Sequence, residues 1–273
     1  MNVHHLPMEF IIIAAGLFGA AAGSFLHVCI WRIPRETSIV TPASRTPCCD
    51  VSIRWYDNIP ILSYCILLGR CRYCRSSISL RYLIYEIVTA LLFAGIVYKF
   101  GISLTTLLYL IMTMNLIVAS GIDWDHQYIP DFLSLPMIPA ALVVAALVQW
   151  TGMFPQALVQ NIRQAIVGCV VGGGIIWGIR IIGAWVFQQE AMGFGDVKLM
   201  AFMGGFLGWD ETLLCIFLAS LLGSCVGIGL KMAGKIDKYG RIPFGPYLCA
   251  GAYLCLLFGP EIIQWYTNPL FSP

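Results

Sequence analysis

Charge is what this chain has least of. Of its 273 residues, 16 are Lys or Arg and 14 are Asp or Glu, 11% in all, against 59% hydrophobic side chains and a mean hydropathy of +0.82. So few polar groups cannot cover a water-soluble globule, and a lipid bilayer is the expected solvent and partner. Long polar tracts are also scarce, since residues 31–81 form the only one. No glycine-rich turn between a strand and a helix is visible, which removes the usual cradle for a nucleotide. No nucleic-acid partner is expected either. The first apolar stretch lacks a basic start and is followed by Arg32 and Arg35, so it is expected to be a retained helix and not a signal peptide.

What the chain has in abundance is apolar stretches, each near the roughly 20 residues that let a helix cross a bilayer. They fall at 9–30, 82–98, 104–122, 132–150, 162–182, 196–208, 212–231 and 244–264. The expected fold is an all-α polytopic membrane protein, a bundle of about eight transmembrane helices with one cytoplasmic cysteine-containing loop subdomain. Its segments are the first helix (1–30), an Arg/Cys-rich loop (31–81) and the remaining bundle (82–273). That loop carries eight arginines, Arg32, Arg35, Arg45, Arg54, Arg70, Arg72, Arg75 and Arg81, and the excess of positive charge places it in the cytoplasm. Counting crossings from there puts Lys231, Lys235, Lys238, Arg241, Arg180 and Lys198 on the same side, with Lys99 and Arg163 as the exceptions. Glycines inside the spans, such as Gly172, Gly173 and Gly223, allow the close helix approach that packing in lipid requires.

The loop also holds Cys48, Cys49, Cys71 and Cys74, the last two as C-x-x-C. Close cysteine pairs about twenty residues apart suggest a zinc knuckle that ties down a loop too small to bury a core. A regular first pair needs a cysteine at Thr46, and adjacent cysteines do not easily supply two ligands of one tetrahedral site. Cys49, Cys71 and Cys74 are therefore the candidate ligands, with Cys48 as an alternative fourth, and a metal-free loop stays open. The remaining cysteines, Cys169 and Cys215 among them, lie in apolar stretches and are expected to be small packing residues.

Acids are costly in membrane helices, so each at a helix end calls for a reason. Asp123, Asp125 and Asp131 follow the third span, and Gly193-Phe194-Gly195-Asp196-Val197-Lys198 opens the sixth. The crossing count brings Asp123 and Asp196 to the same depth. Two neighbouring carboxylates sharing a proton form an aspartyl-protease dyad, one activating water and the other polarising the scissile carbonyl. Asp196 opens a helix and Asp123 closes one, so the helix dipoles predict Asp196 as the more acidic partner. Helix capping is the bland alternative for Asp196 and Asp131, and a solvated turn for Asp125. Glu86, just inside the second span, is either a buried pair with Arg81 or a substrate contact.

These motifs together resemble the type IV prepilin peptidases. The likeness comprises Gly23-Ser24-Phe25-Leu26-His27-Val28 with Arg32-Ile33-Pro34, Asn58-Ile59-Pro60-Ile61-Leu62-Ser63, Gly69-Arg70-Cys71-Arg72-Tyr73-Cys74, Ile78-Ser79-Leu80-Arg81-Tyr82 leading to Glu86, and the two aspartate segments. The resemblance implies a G-x-G-D membrane aspartyl protease with its dyad at Asp123 and Asp196, supported by Gly193, Gly195 and Lys198. It implies cleavage of the basic leader of prepilins or type II secretion pseudopilins at the cytoplasmic face of the bacterial inner membrane, followed by N-methylation with S-adenosylmethionine. Methylation falls loosely to the first span and the cysteine loop, while Glu86, Asp125 and Asp131 are candidates for substrate or methyltransferase contacts. Thr46 departs from the family's metal cysteine, and His27 stands where asparagine is usual. A transporter with ion-carrying acids and a pilin-binding factor without peptidase activity are the competing readings. The first fits poorly with acids gathered at one face, since transporters hold them near the midplane.

Overall fold

The computed structural model describes residues 7–41, 45–46, 48–188, 192–234 and 242–271. Among them the regular elements are helices: α1 Met8–Arg32, α2 Leu62–Ile66, α3 Leu80–Phe100, α4 Leu104–His126, α5 Asp131–Ser134, α6 Met137–Thr151, α7 Ile162–Phe187, α8 Phe194–Leu207, α9 Trp209–Met232 and α10 Gly245–Phe271. Seven are long and apolar enough to cross a membrane: α1, α3, α4, the run from α5 through α6, α7, α9 and α10. Large apolar side chains such as Leu17, Leu91, Val170 and Phe217 stand exposed on them, as lipid-facing surfaces require.

The chain divides into two compact units, Met1–Val118 and Ala119–Pro273, the division falling inside α4. In the first unit α1 packs on α3 through glycine. A Cβ on Gly19 would come 2.8 Å from the Thr89 carbonyl oxygen and one on Gly23 2.7 Å from that of Tyr85, so only glycine lets these backbones touch. Ser79 starts α3 by accepting a hydrogen bond from the Arg81 amide.

In the second unit α7 and α8 meet at an equally tight crossing, where a Cβ on either Gly168 or Gly204 would lie about 2 Å from the other's carbonyl oxygen. Gly168 faces Gly204 and Gly172 faces Met200, so the two helices run antiparallel; Gly251 faces Cys215 and Gly223 faces Tyr247, so α9 and α10 do too. The sixth apolar stretch, 196–208, is as short as expected but is not one of the seven membrane-length helices. As α8 it has 14 residues, roughly 21 Å at 1.5 Å per residue, short of a full bilayer core. Ten of those residues, Asp196 among them, are buried. A helix sheathed by protein needs no bilayer-matched length, because its neighbours replace lipid. Its direction still returns the chain across the unit, so the crossing order read from the sequence is kept. Lys235, Lys238 and Arg241, used in the charge count, lie outside the described residues.

Candidate active site

Asp123 sits in the last turn of α4 and Asp196 in the first turn of α8, both buried, at 6% and 7% exposure. They lie within electrostatic reach of one another, and both reach Cys249 on α10. Their surroundings differ. The Gly245 amide, at the amino end of α10, donates a 2.9 Å hydrogen bond to Asp123 Oδ2. Asp196 Oδ1 is buried with no hydrogen-bond partner. Asp123 therefore also faces the positive end of a helix, one that the reading of its own helix did not anticipate. A Cβ at Gly245 would stand 2.6 Å from Asp123 Oδ2, so a larger residue there would displace the carboxylate. The available signal was Pro243-Phe244-Gly245-Pro246 at the mouth of the last span: a proline in the first turn leaves donation to its neighbour.

The two glycines flanking Asp196 have no unusual dihedrals, and only Gly195 is held by close approach. Gly193 has an ordinary extended φ of −70°. Gly195 is helical, and a Cβ there would meet Ile129 Cβ at 3.0 Å, so its bareness admits the segment that follows Asp123. Lys198 faces the same segment, pairing with Asp131 at 2.7 Å while its ammonium lies 4.9 Å over the Phe194 ring. Asp131 is thus engaged by Lys198, and Asp125 is exposed at the end of α4. Glu86 lies in the other unit, buried on α3, where its Oε2 accepts a 2.7 Å hydrogen bond from the Ile61 amide. Ile61 has φ +62°, a left-handed conformation unusual for a β-branched residue. Glu86 holds that bend and caps the short α2 behind it.

The cysteine loop is two copies of one turn. In the first the Thr46 amide donates to the Val51 carbonyl and the Asp50 amide to that of Thr46; in the second the Cys71 amide donates to the Ser76 carbonyl and the Arg75 amide to that of Cys71. Asp50 and Arg75 match, with φ of 54° and 60°, as do the flanking bridges Arg45–Ser52 and Arg70–Ser77. Thr46 therefore occupies the place of Cys71, and Cys49 that of Cys74. The Sγ atoms of Cys48, Cys49, Cys71 and Cys74 all lie within 4.8 Å of one another, so the adjacent Cys48 and Cys49 both reach the cluster, which adjacency is expected to make difficult. Cys48–Cys49 and Cys49–Cys71 are each 3.9 Å, close to the roughly 3.8 Å between sulfurs of a tetrahedral zinc site with 2.3 Å bonds, whereas Cys48–Cys74, at 3.1 Å, is shorter and would have to open to admit the ion. The Ser76 hydroxyl, 3.1 Å from Cys74 Sγ, is the main cause holding that thiol down at about 6, and Cys48 adds to it. Arg72 clamps Asp57 with bonds of 2.5 to 2.9 Å, which ties the second turn to the rest of the loop.

Helices that span a bilayer and two acids paired at their ends define a multi-pass membrane protein with a carboxylate site. Residues 17–100 match the bacterial peptidase A24 N-terminal domain, and residues 110–228 the type IV leader peptidase family. The chain is 34% identical to a prepilin leader peptidase/N-methyltransferase of Stutzerimonas stutzeri, over 96% of this chain and 95% of that protein. It is 32% identical to proteins of that name from Pseudomonas aeruginosa (96% and 95% covered) and Aeromonas hydrophila (97% and 96%). The chain belongs to the type IV leader peptidase family. No solved structure matches it.

Proposed function

We propose that this protein cuts the basic leader from type IV prepilins or type II secretion pseudopilins and methylates the amino terminus so exposed, working at the cytoplasmic face of the inner membrane. The peptidase rests on one observation above the others: two buried acids, 73 positions apart in sequence (196 − 123), lie within electrostatic reach at helix ends. Asp123, with the Gly245 amide on Oδ2, is the carboxylate better able to hold the charge, which reverses the order expected from its own helix dipole. It takes the proton from the attacking water. Asp196, whose Oδ1 has no partner within the protein, carries the shared proton and donates it in a hydrogen bond to the scissile carbonyl oxygen. As the tetrahedral intermediate collapses, the proton on Asp123 passes to the leaving amine.

Asp125, exposed beside this pair, is placed to attract a basic leader. Cys48, Cys49, Cys71 and Cys74 would hold the zinc, which would supply a structural tie to the loop. S-adenosylmethionine is the methyl donor that the relatives' names suggest; among the described residues no strand-to-helix glycine turn offers it a cradle. Purified protein in detergent is expected to shorten a prepilin, with Asp123→Asn and Asp196→Asn each reducing the rate by about 100-fold or more. Appreciable cleavage by either variant sinks the dyad.

A further inference from the structure

The motif Asn58-Ile59-Pro60-Ile61-Leu62-Ser63 supplies neither an acid nor a sulfur to the sites above; it leads into the short helix α2. That helix has its polarity reversed. It buries Ser63, whose hydroxyl donates to the Tyr56 carbonyl, and it exposes Leu62 and Ile66, which share a face at a spacing of four. Leu68 follows, 83% exposed and left-handed at φ +51°, where a turn in water more readily takes glycine or asparagine. Three large aliphatic side chains thus stand outward within one short segment.

Three hydrogen bonds fix where this segment lies. The Ile61 amide donates to Glu86, six residues past the start of α3 and so roughly 9 Å along it. The Tyr64 hydroxyl donates to the Ile78 carbonyl, and the Ile78 amide to the Gly69 carbonyl, just before α3 begins. Residues 61–69 therefore run alongside the first two turns of α3. That helix has 21 residues, roughly 30 Å, which matches the apolar core of a bilayer with little to spare. Leu80 and Ile84 are exposed on its first turns, as lipid contact requires. The backbone of the segment suits the same surroundings. The amides of Leu67, Leu68, Gly69 and Arg70 donate to the carbonyls of Ser63, Cys65, Tyr64 and Leu67, so none of the four calls for water. Arg70 and Arg75, both exposed, come next. An apolar edge bordered by guanidinium groups fits the boundary between acyl chains and anionic headgroups, and a soluble partner would have to enter that layer to reach it.

We propose that α2 and Leu68 form an interfacial anchor: Leu62, Ile66 and Leu68 enter the leaflet beside the start of α3, and Arg70 and Arg75 hold anionic phospholipid headgroups at its surface. The cysteine turn that begins at Cys71 is thereby tethered to the membrane, whether or not the aspartates cut peptides. The full chain in nanodiscs of phosphatidylcholine and phosphatidylglycerol tests this, with the photo-crosslinker p-benzoylphenylalanine in place of Leu68 and, in a second variant, of Ile66. Irradiation should add the mass of a phospholipid at both positions, as it should at Leu91, exposed in the middle of α3. Either position suffices if the other variant fails to fold. Phosphatidylglycerol should be over-represented among the adducts by about fivefold relative to its share of the disc, and Arg70→Gln combined with Arg75→Gln should return it to that share. A cross-link to another part of the chain or to a second copy overturns the anchor, as does the absence of lipid adducts at both positions while Leu91 labels. Adducts indifferent to headgroup charge overturn the part given to the arginines.

Discussion

The two units solve the problem of building a site in opposite ways. In the first, four sulfurs come from 27 consecutive positions, Cys48 to Cys74, in a loop whose order comes from two hydrogen-bonded turns, an Arg72–Asp57 clamp and the reach of Glu86 to Ile61. In the second, Asp123, Asp196 and Gly245 come from three helices across more than 120 positions, and helix crossings too tight for any side chain fix them. A local site can draw on a neighbouring residue, as the Cys48 sulfur lies within 4.8 Å of the other three although position 46 holds threonine. A site at the meeting of helix ends has no such slack, because moving one group means moving a helix.

Breaking the second site should therefore give the largest effects. Asp123→Asn or Asp196→Asn should lower leader cleavage by about 100-fold or more, while methylation of a peptide supplied already cut persists. Loss of both activities together would mean the units do not act separately. Next comes Gly245→Ala. Its methyl would stand 2.6 Å from Asp123 Oδ2, so the carboxylate or α10 must shift, and a displacement on the order of 1 Å costs about 100-fold in rate. Native-like cleavage by this variant would show that the amide does not set the aspartate.

The local site should respond in its own currency. Cys71→Ser is expected to take zinc from about one per chain to near zero and to abolish methylation, with cleavage much less affected. Cys48→Ser should act alike, and adding Thr46→Cys to it should restore the metal, because position 46 matches Cys71 in the repeated turn. Zinc requires thiolates. Protons compete with the metal for those thiolates, so metal content should fall as pH drops and recover as it rises. Elemental analysis across a range of pH, with and without each substitution, checks all of this.

The candidate site was legible where chemistry leaves residue types behind, and illegible where space does. Asp123 and Asp196 declared themselves as acids at the ends of apolar runs, and the helix order followed from hydropathy and arginine placement. Gly245 did not, because Pro243-Phe244-Gly245-Pro246 marks a helix start without saying which carboxylate its amide meets. The convergence of Cys48 and Cys49 was also hidden. Adjacent side chains diverge in helix and strand, but in a turn closed by a residue at φ +54° they reach the same centre. That α8 is sheathed by protein was hidden for a related reason: hydropathy registers burial without saying whether lipid or protein provides it.

The smallest expected effect sharpens the contrast, because both units contain an ion pair that looks alike on paper. Lys198 meets Asp131 at 2.7 Å, yet the Asp131 side chain is 61% exposed. A screened single contact of this kind contributes about 0–1 kcal/mol. Lys198→Met should slow cleavage by less than about fivefold, with an effect that shrinks in high salt and does not add to that of Asp131→Asn. Arg72 grips Asp57 through two nitrogens, and the Asp57 side chain is only 8% exposed. Its removal leaves a carboxylate sheltered from water, so Arg72→Met should cost more stability than Lys198→Met and resist salt. If thermal unfolding ranked the two the other way, the loop would owe its order to the sulfurs alone.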